Sequence, residues 1–189
     1  MQNPSEEEAA MNVPNIRIMT PSDIVAAIQL WRDTPGMGLN VYDDSPEAIA
    51  RFIERNPRTC LVADDGKELL GCVICGHDGR RATIYHLAVR QDARLCGVGK
   101  ALVAACESAM SMEGITKLRL LVFKTNEGGN VFWESVGFHA RGDVVYRDKH
   151  VNIVKDSKDN KENKDNKSSF LSGGECDIME SLNVESRDC

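Results

Sequence analysis

The sequence has no run of 18 uninterrupted apolar residues, so nothing in it reads as a membrane-spanning helix. It opens Met-Gln-Asn-Pro-Ser-Glu-Glu-Glu, without the cationic and apolar regions of a secretory leader. Together these absences predict a soluble, cytoplasmic protein with no membrane partner. A basic surplus is missing as well. Residues 1–15 carry three acids and no base, residues 155–189 carry nine acids and six bases, and the stretch between has 17 of each. The net charge of −6 therefore sits at the two ends. A balanced middle does not neutralise a phosphate backbone over many contacts, and no nucleic-acid partner is expected. Nor is there a disulfide framework: the seven cysteines are odd in number and scattered through apolar runs, which fits reduced thiols. Cys72 and Cys75 have the spacing of a redox or zinc pair. In a strand, however, positions three apart point to opposite faces, and no second Cys or His pair follows at a ligand-like interval, so no metal is expected.

What is present is enough for one folded unit. Residues 1–14 are acidic with two prolines, and from Lys155 the chain reads KDSKDNKENKDNKSS with no apolar residue before Phe170. Such segments bury too little surface to offset their ordering entropy. The expected organisation is a disordered N-terminus at 1–14, a folded domain at 15–150 and a disordered low-complexity tail at 151–189.

Within the domain, Ile16 to Met19 reads as a strand, and Thr20-Pro21-Ser22-Asp23 opens a helix with Ile24, Ile28 and Trp31 on one face. Ser45-Pro46-Glu47 repeats that start signal, with Ile49, Phe52 and Ile53 apolar and Asn56-Pro57 as the stop. Thr59 to Ala63, Glu68 to Gly76 and Ala82 to Val89 read as hairpin-linked strands, turned at Asp64-Asp65-Gly66 and His77-Asp78-Gly79. A helix is expected over Val98 to Met112, a strand over Leu118 to Phe123, a helix over Glu127 to Ser135 and a last extended segment over Phe138 to Tyr146. The order β-α-α-β-β-β-α-β-α-β implies an α/β (α+β type) sandwich whose sheet is mainly antiparallel in its first half.

Between the third hairpin strand and the long helix runs Arg94-Leu-Cys-Gly97-Val-Gly99-Lys100. A strand, a glycine loop and a helix start converge unpaired N–H groups at the positive end of a helix dipole, which suits an anion. Two phosphate motifs do not fit. A dinucleotide fingerprint would want glycine at 102, where Leu102 stands, and a Walker loop would want glycine at 94 and a hydroxyl residue at 101, where Arg94 and Ala101 stand.

The hexapeptide Arg94-Leu95-Cys96-Gly97-Val98-Gly99 resembles the pyrophosphate signature of the GNAT superfamily of acyl-CoA-dependent N-acyltransferases. Asn126-Glu-Gly-Gly129-Asn-Val-Phe-Trp133-Glu-Ser-Val-Gly137-Phe138 resembles the later motif of the same family, and the likeness runs over about residues 15–149, closest to small, single-domain bacterial-type members. The resemblance implies a GNAT-like fold, a mixed, mostly antiparallel central sheet with helices on both faces. It implies acetyl-CoA as co-substrate and direct transfer of its acetyl group to a primary amine in a ternary complex, by a monomer or homodimer. Main-chain groups of Leu87, Ala88 and Val89 would then hold the pantetheine, with Val89 polarising the thioester. The pyrophosphate would rest on Arg94, Leu95, Cys96, Gly97, Val98, Gly99, Lys100 and Ala101, and Asn126 would bond the pantetheine. Trp133 occupies the place where the family commonly carries a tyrosine acid; an indole N–H is a donor and no acid near neutral pH. That departure leaves open a non-catalytic acyl-CoA-binding module as an alternative, and the lysine-rich tail a third reading as an adaptor. Strand alternation puts Thr83, Tyr85, Leu87 and Val89 on one face, which makes Tyr85 the first candidate for proton transfer. His86 then faces the other way as a packed side chain, unless a bulge rotates the strand end. The loop Arg32 to Asp44, with Asp33, Asp43 and Asp44, would border the acceptor.

Overall fold

The computed structural model describes residues 14–151 of the chain. The expectations for residues 1–13 and for the polar tail from 152 onward lie outside the described residues. The chain divides into two units at Gly142/Asp143. In the second unit, residues 143–151 carry neither helix nor strand, with Val144, Val145 and Tyr146 exposed.

The first unit is built on a five-stranded sheet: β1 Asn15–Ile18, β2 Cys60–Asp64, β3 Leu69–His77, β4 Ala82–Val89 and β5 Leu118–Leu120. Spatial order follows chain order, antiparallel from β1 to β4 and parallel between β4 and β5. Four helices cover it: α1 Ile24–Arg32, α2 Pro46–Arg55, α3 Val98–Met112 and α4 Glu127–Ser135. A single 3-10 turn, Pro21–Asp23, leads into α1. Its geometry follows from a carboxylate: Asp23 Oδ2 accepts from the Thr20 N–H at 2.7 Å, while Arg17 on β1 reaches both Asp23 and Asp64 at 2.8 Å. α2 starts where Ser45 Oγ accepts the Ala48 N–H and Pro46 fills the first turn, where its missing N–H costs nothing.

Each face of the sheet carries its own apolar layer. On one side Ile24, Ala27, Ile28 and Trp31 of α1 and Ile49 and Ile53 of α2 pack on Cys60, Val62, Cys72, Ile74 and Ala88. On the other, Val98, Leu102, Cys106 and Met110 of α3 pack on Leu61, Val73, Cys75, Ala82 and Ile84. Cys72 and Cys75 thus fall in opposite layers, as the strand period requires. Burial pushes the Cys60 and Cys72 thiols up to about 12, which keeps them protonated packing groups.

Two sequence expectations change. The strand expected over Leu118 to Phe123 stops at Leu120, and Phe123 instead lies against the main chain of Gly38 in the α1–α2 loop. The final strand over Phe138 to Tyr146 is absent among the described residues. Gly137 adopts φ +89°, the Phe138 N–H turns back to the Trp133 carbonyl at 2.9 Å, and the Phe138 ring packs on Trp133 at 5.3 Å. A left-handed glycine there closes the helix and spends Phe138 on it.

Candidate active site

The sheet opens between β4 and β5. Ladder pairing runs only through Ala82↔Leu118, Thr83↔Arg119 and Ile84↔Leu120, while β4 continues five residues further, still paired to β3. The direction of the freed groups follows from the ladder. The Arg90 N–H donates to the Leu70 carbonyl at 2.8 Å, which makes Gly71↔Val89 a non-hydrogen-bonded pair. The N–H and C=O of Val89 therefore point away from β3, into the gap, and two-residue alternation sends those of Leu87 the same way. Ala88 turns its main chain to β3 and its side chain to the α1 layer. One of the gap-facing groups is already engaged, since Arg94 Nε donates to the Val89 carbonyl at 3.1 Å.

That contact folds the glycine loop back over the open end of the strand. Leu95 at φ +63° and Gly97 at φ +85° turn the chain into α3, with Leu95 and Cys96 exposed. The first helical bond is Ala101 N–H to Gly97 C=O at 3.0 Å, and no group among the described residues accepts from the N–H groups of Leu95 through Lys100. They are orphan donors at the positive end of a 15-residue helix, with Arg94 and Lys100 exposed beside them. Gly99 matters for a different reason: a Cβ there would crowd the Phe132 ring of α4 at 3.2 Å. An elongated anion with an extended arm fits this arrangement, the charge on the amides and the arm along β4.

Asn126 caps α4, its Oδ1 accepting the Gly129 N–H at 2.9 Å, while its Nδ2 donates to no group among the described residues. Trp133 belongs to the α3-side layer, between the Phe132 and Phe138 rings.

On the α1–α2 side the strand departs from regular alternation. Ile74 pairs with His86 but Cys75 pairs with Ile84, so one extra β4 residue, Tyr85, is accommodated in a bulge. Ala82 and Ile84 face α3, Leu87 and Val89 also pack there, and Tyr85 and His86 both face α1 and α2. The expectation that His86 lies opposite Tyr85 is thereby corrected: the bulge adds one residue and shifts the parity of everything after it. Tyr85 is over half exposed and stacks edge-on to Phe52 at 5.4 Å. His86 is 8% exposed, tilts on Trp31 at 4.8 Å and places Nε2 2.7 Å from Asp44 Oδ1. Burial works to raise the Asp44 carboxyl, but hydrogen bonds from His86 and the Asn40 N–H, with the His86 charge, outweigh it and the net shift is downward. Sequence reasoning missed this pair; Asp44 lies 42 residues from His86, and three aspartates in one loop carry no local sign of which turns inward.

The profile of the acetyltransferase (GNAT) family matches residues 25–138. An acetyltransferase of Pectobacterium atrosepticum is 33% identical over 112 residues, covering 59% of this chain and 78% of its own length. An acetyltransferase of Yersinia enterocolitica is 28% identical over 130 residues, covering 69% and 91%. Among solved structures, the PaiA N-acetyltransferase of Thermoplasma acidophilum in complex with coenzyme A aligns with a TM-score of 0.60 at 22% identity, covering 68% of this chain and 91% of that one. An aminoglycoside acetyltransferase from an uncultured soil metagenomic sample, in complex with sisomicin, aligns at 0.57 and 19% identity, covering 75% and 98%. These structures share the fold of this chain. The chain belongs to the GNAT family and is an acetyltransferase.

Proposed function

We propose that the protein carries the acetyl group of acetyl-CoA directly to a primary amine, with both substrates bound at once. The observation that carries this reading is the early end of the β4–β5 ladder, which leaves the main-chain groups of Leu87 and Val89 facing an open gap. An extended pantetheine arm lies along that edge as a strand would, taking hydrogen bonds from the main chain. The Val89 N–H polarises the thioester carbonyl, in the way that preorganised donors in acyl-transfer sites contribute about 2.7–4 kcal/mol. The amides from Leu95 through Lys100 hold the pyrophosphate, with Arg94 and Lys100 adding charge and Asn126 Nδ2 closing on the arm. The amine enters from the opposite face of the sheet, where Tyr85 and the α1–α2 loop lie. Tyr85 serves as proton donor or holds the water that does, since Trp133 is committed to packing. One solved neighbour is an N-acetyltransferase with coenzyme A bound, which supports nitrogen as the receiving atom.

Titration calorimetry with acetyl-CoA followed by thiol release over a panel of primary amines tests this. Saturable binding and thiol release that depends on the amine are expected. No binding at millimolar acetyl-CoA refutes the proposal, and binding without release over the whole panel replaces it with the binding-module reading.

A further inference from the structure

A primary amine is an ammonium ion at neutral pH and has to lose a proton before it attacks a carbonyl. His86 lies between Tyr85 and Leu87 on β4, next to the residue whose main chain faces the gap. The bulge turns its ring to the side of the sheet that carries α1, α2 and their connecting loop. The ring is held by two neighbours, the Trp31 face at 4.8 Å and Asp44 Oδ1 at 2.7 Å from Nε2. Asp44 is held in turn, its Oδ2 accepting the Asn40 N–H at 2.6 Å. An ionised carboxylate only accepts, so Nε2 carries the hydrogen of the neutral ring and Nδ1 keeps the lone pair. No group among the described residues bonds to Nδ1, and it is not one of the sealed polar atoms.

We infer that His86 Nδ1 receives the proton of the acceptor ammonium, directly or through one water, and that Asp44 is the positioning residue that sets the ring and its tautomer. The inference deepens the acetyl-transfer reading and rests on it. In the balanced step the ammonium gives one proton to Nδ1 and the neutral nitrogen attacks the thioester carbon. The carbon–nitrogen bond forms as the carbon–sulfur bond breaks, and the second nitrogen proton leaves for the thiolate, directly or by way of Tyr85 or its water. The products are an amide, free thiol and a protonated His86 that returns its proton to solvent. The groups packed against the ring are Asp44 from the loop, Trp31 from α1, Ile74 across the ladder from β3 and Tyr85 beside it on β4; of the first three, only Asp44 titrates.

The experiment compares wild type, His86→Gln and Asp44→Asn with acetyl-CoA and a series of unhindered primary alkylamines across pH. At neutral pH the His86→Gln kcat should fall by about a hundredfold or more, with the acetyl-CoA Kd unchanged within about twofold. The deficit should shrink by about tenfold per pH unit toward the amine's own pKa, because free amine needs no proton acceptor. Asp44→Asn keeps the ring tethered without the carboxylate that fixes its tautomer and should fall between the two. In the free wild-type protein, long-range proton–nitrogen spectra at alkaline pH should report Nε2 protonated and Nδ1 bare. Full neutral-pH activity of His86→Gln, a deficit equal at every pH, or an Nδ1-protonated ring overturns the inference. A wild-type protein that acetylates no amine refutes the proposed function, and this inference falls with it.

Discussion

Replacing Gly97 by alanine and, separately, by glutamate divides backbone strain from anion chemistry. Gly97 sits at φ +85° as the residue before α3, and nothing lies within 4 Å of where a Cβ would stand. Both variants therefore carry the same left-handed backbone cost of about 1–2 kcal/mol and neither adds a clash. For a domain of this size that lowers Tm by about 3–10 °C in either case. The two differ only in what the side chain brings to the orphan amides. A carboxylate about 4 Å from one phosphate charge costs about 1 kcal/mol in water-like surroundings and about 4 kcal/mol near a protein surface. Glutamate should thus weaken acetyl-CoA binding relative to alanine by about fivefold to about a thousandfold, and more at low salt. Calorimetric titration of the two variants at matched temperature and ionic strength gives the ratio. Equal affinities would refute the placement of the pyrophosphate on this loop, whatever both had lost against wild type.

Asp23→Asn tests the clamp that joins β1 to the start of α1. The hydrogen bond from Arg17 holds the Asp23 carboxyl at about 2, against 3.8 for the free group, so its contribution is complete above the unfolded value and lost as pH falls through about 2. Denaturant unfolding should show the variant less stable by about 1 kcal/mol near neutral pH, since solvent screens a partly exposed pair, with the gap closing below pH 4; a gap independent of pH contradicts the linkage. Gly71→Ala would set a Cβ 2.9 Å from the Ala88 carbonyl oxygen and within 3.2 Å of Leu102 and Val98, and should cost about 1–3 kcal/mol in the same assay. Unchanged stability would mean β3, β4 and α3 are not packed as described. Tyr85→Phe keeps the ring on Phe52 and removes one exposed hydroxyl, so stability should hold within about 0.5 kcal/mol while amine-dependent thiol release falls by about a hundredfold. Undiminished release removes Tyr85 from the reaction.

The element order was legible because period and punctuation agreed. α3 and α4 occupy the residues their apolar spacing and flanking glycines indicate, and Gly66 and Gly79 take the positive φ their turns need. The glycine loop and its orphan amides were legible for the same reason, as local features. What escaped the sequence was long-range. The end of β5 depends on where β4 departs, and Leu121 and Phe123 have the composition of a strand without a neighbour to pair with. The bulge at Tyr85 has no glycine to announce it; it shows only in the register of β3 against β4. Asp44 meeting His86 depends on that bulge and on a loop closing over 42 residues, and neither is written in either segment alone.

The half-paired end of β4 leaves a readable imprint on solvent exchange. His86 and Ala88 send their amides to β3, while Leu87 and Val89 send theirs to the gap, so slow and fast hydrogens alternate along four consecutive residues. An arm laid along that edge would protect the fast pair and leave the slow pair as it was, turning a comb into a uniform row.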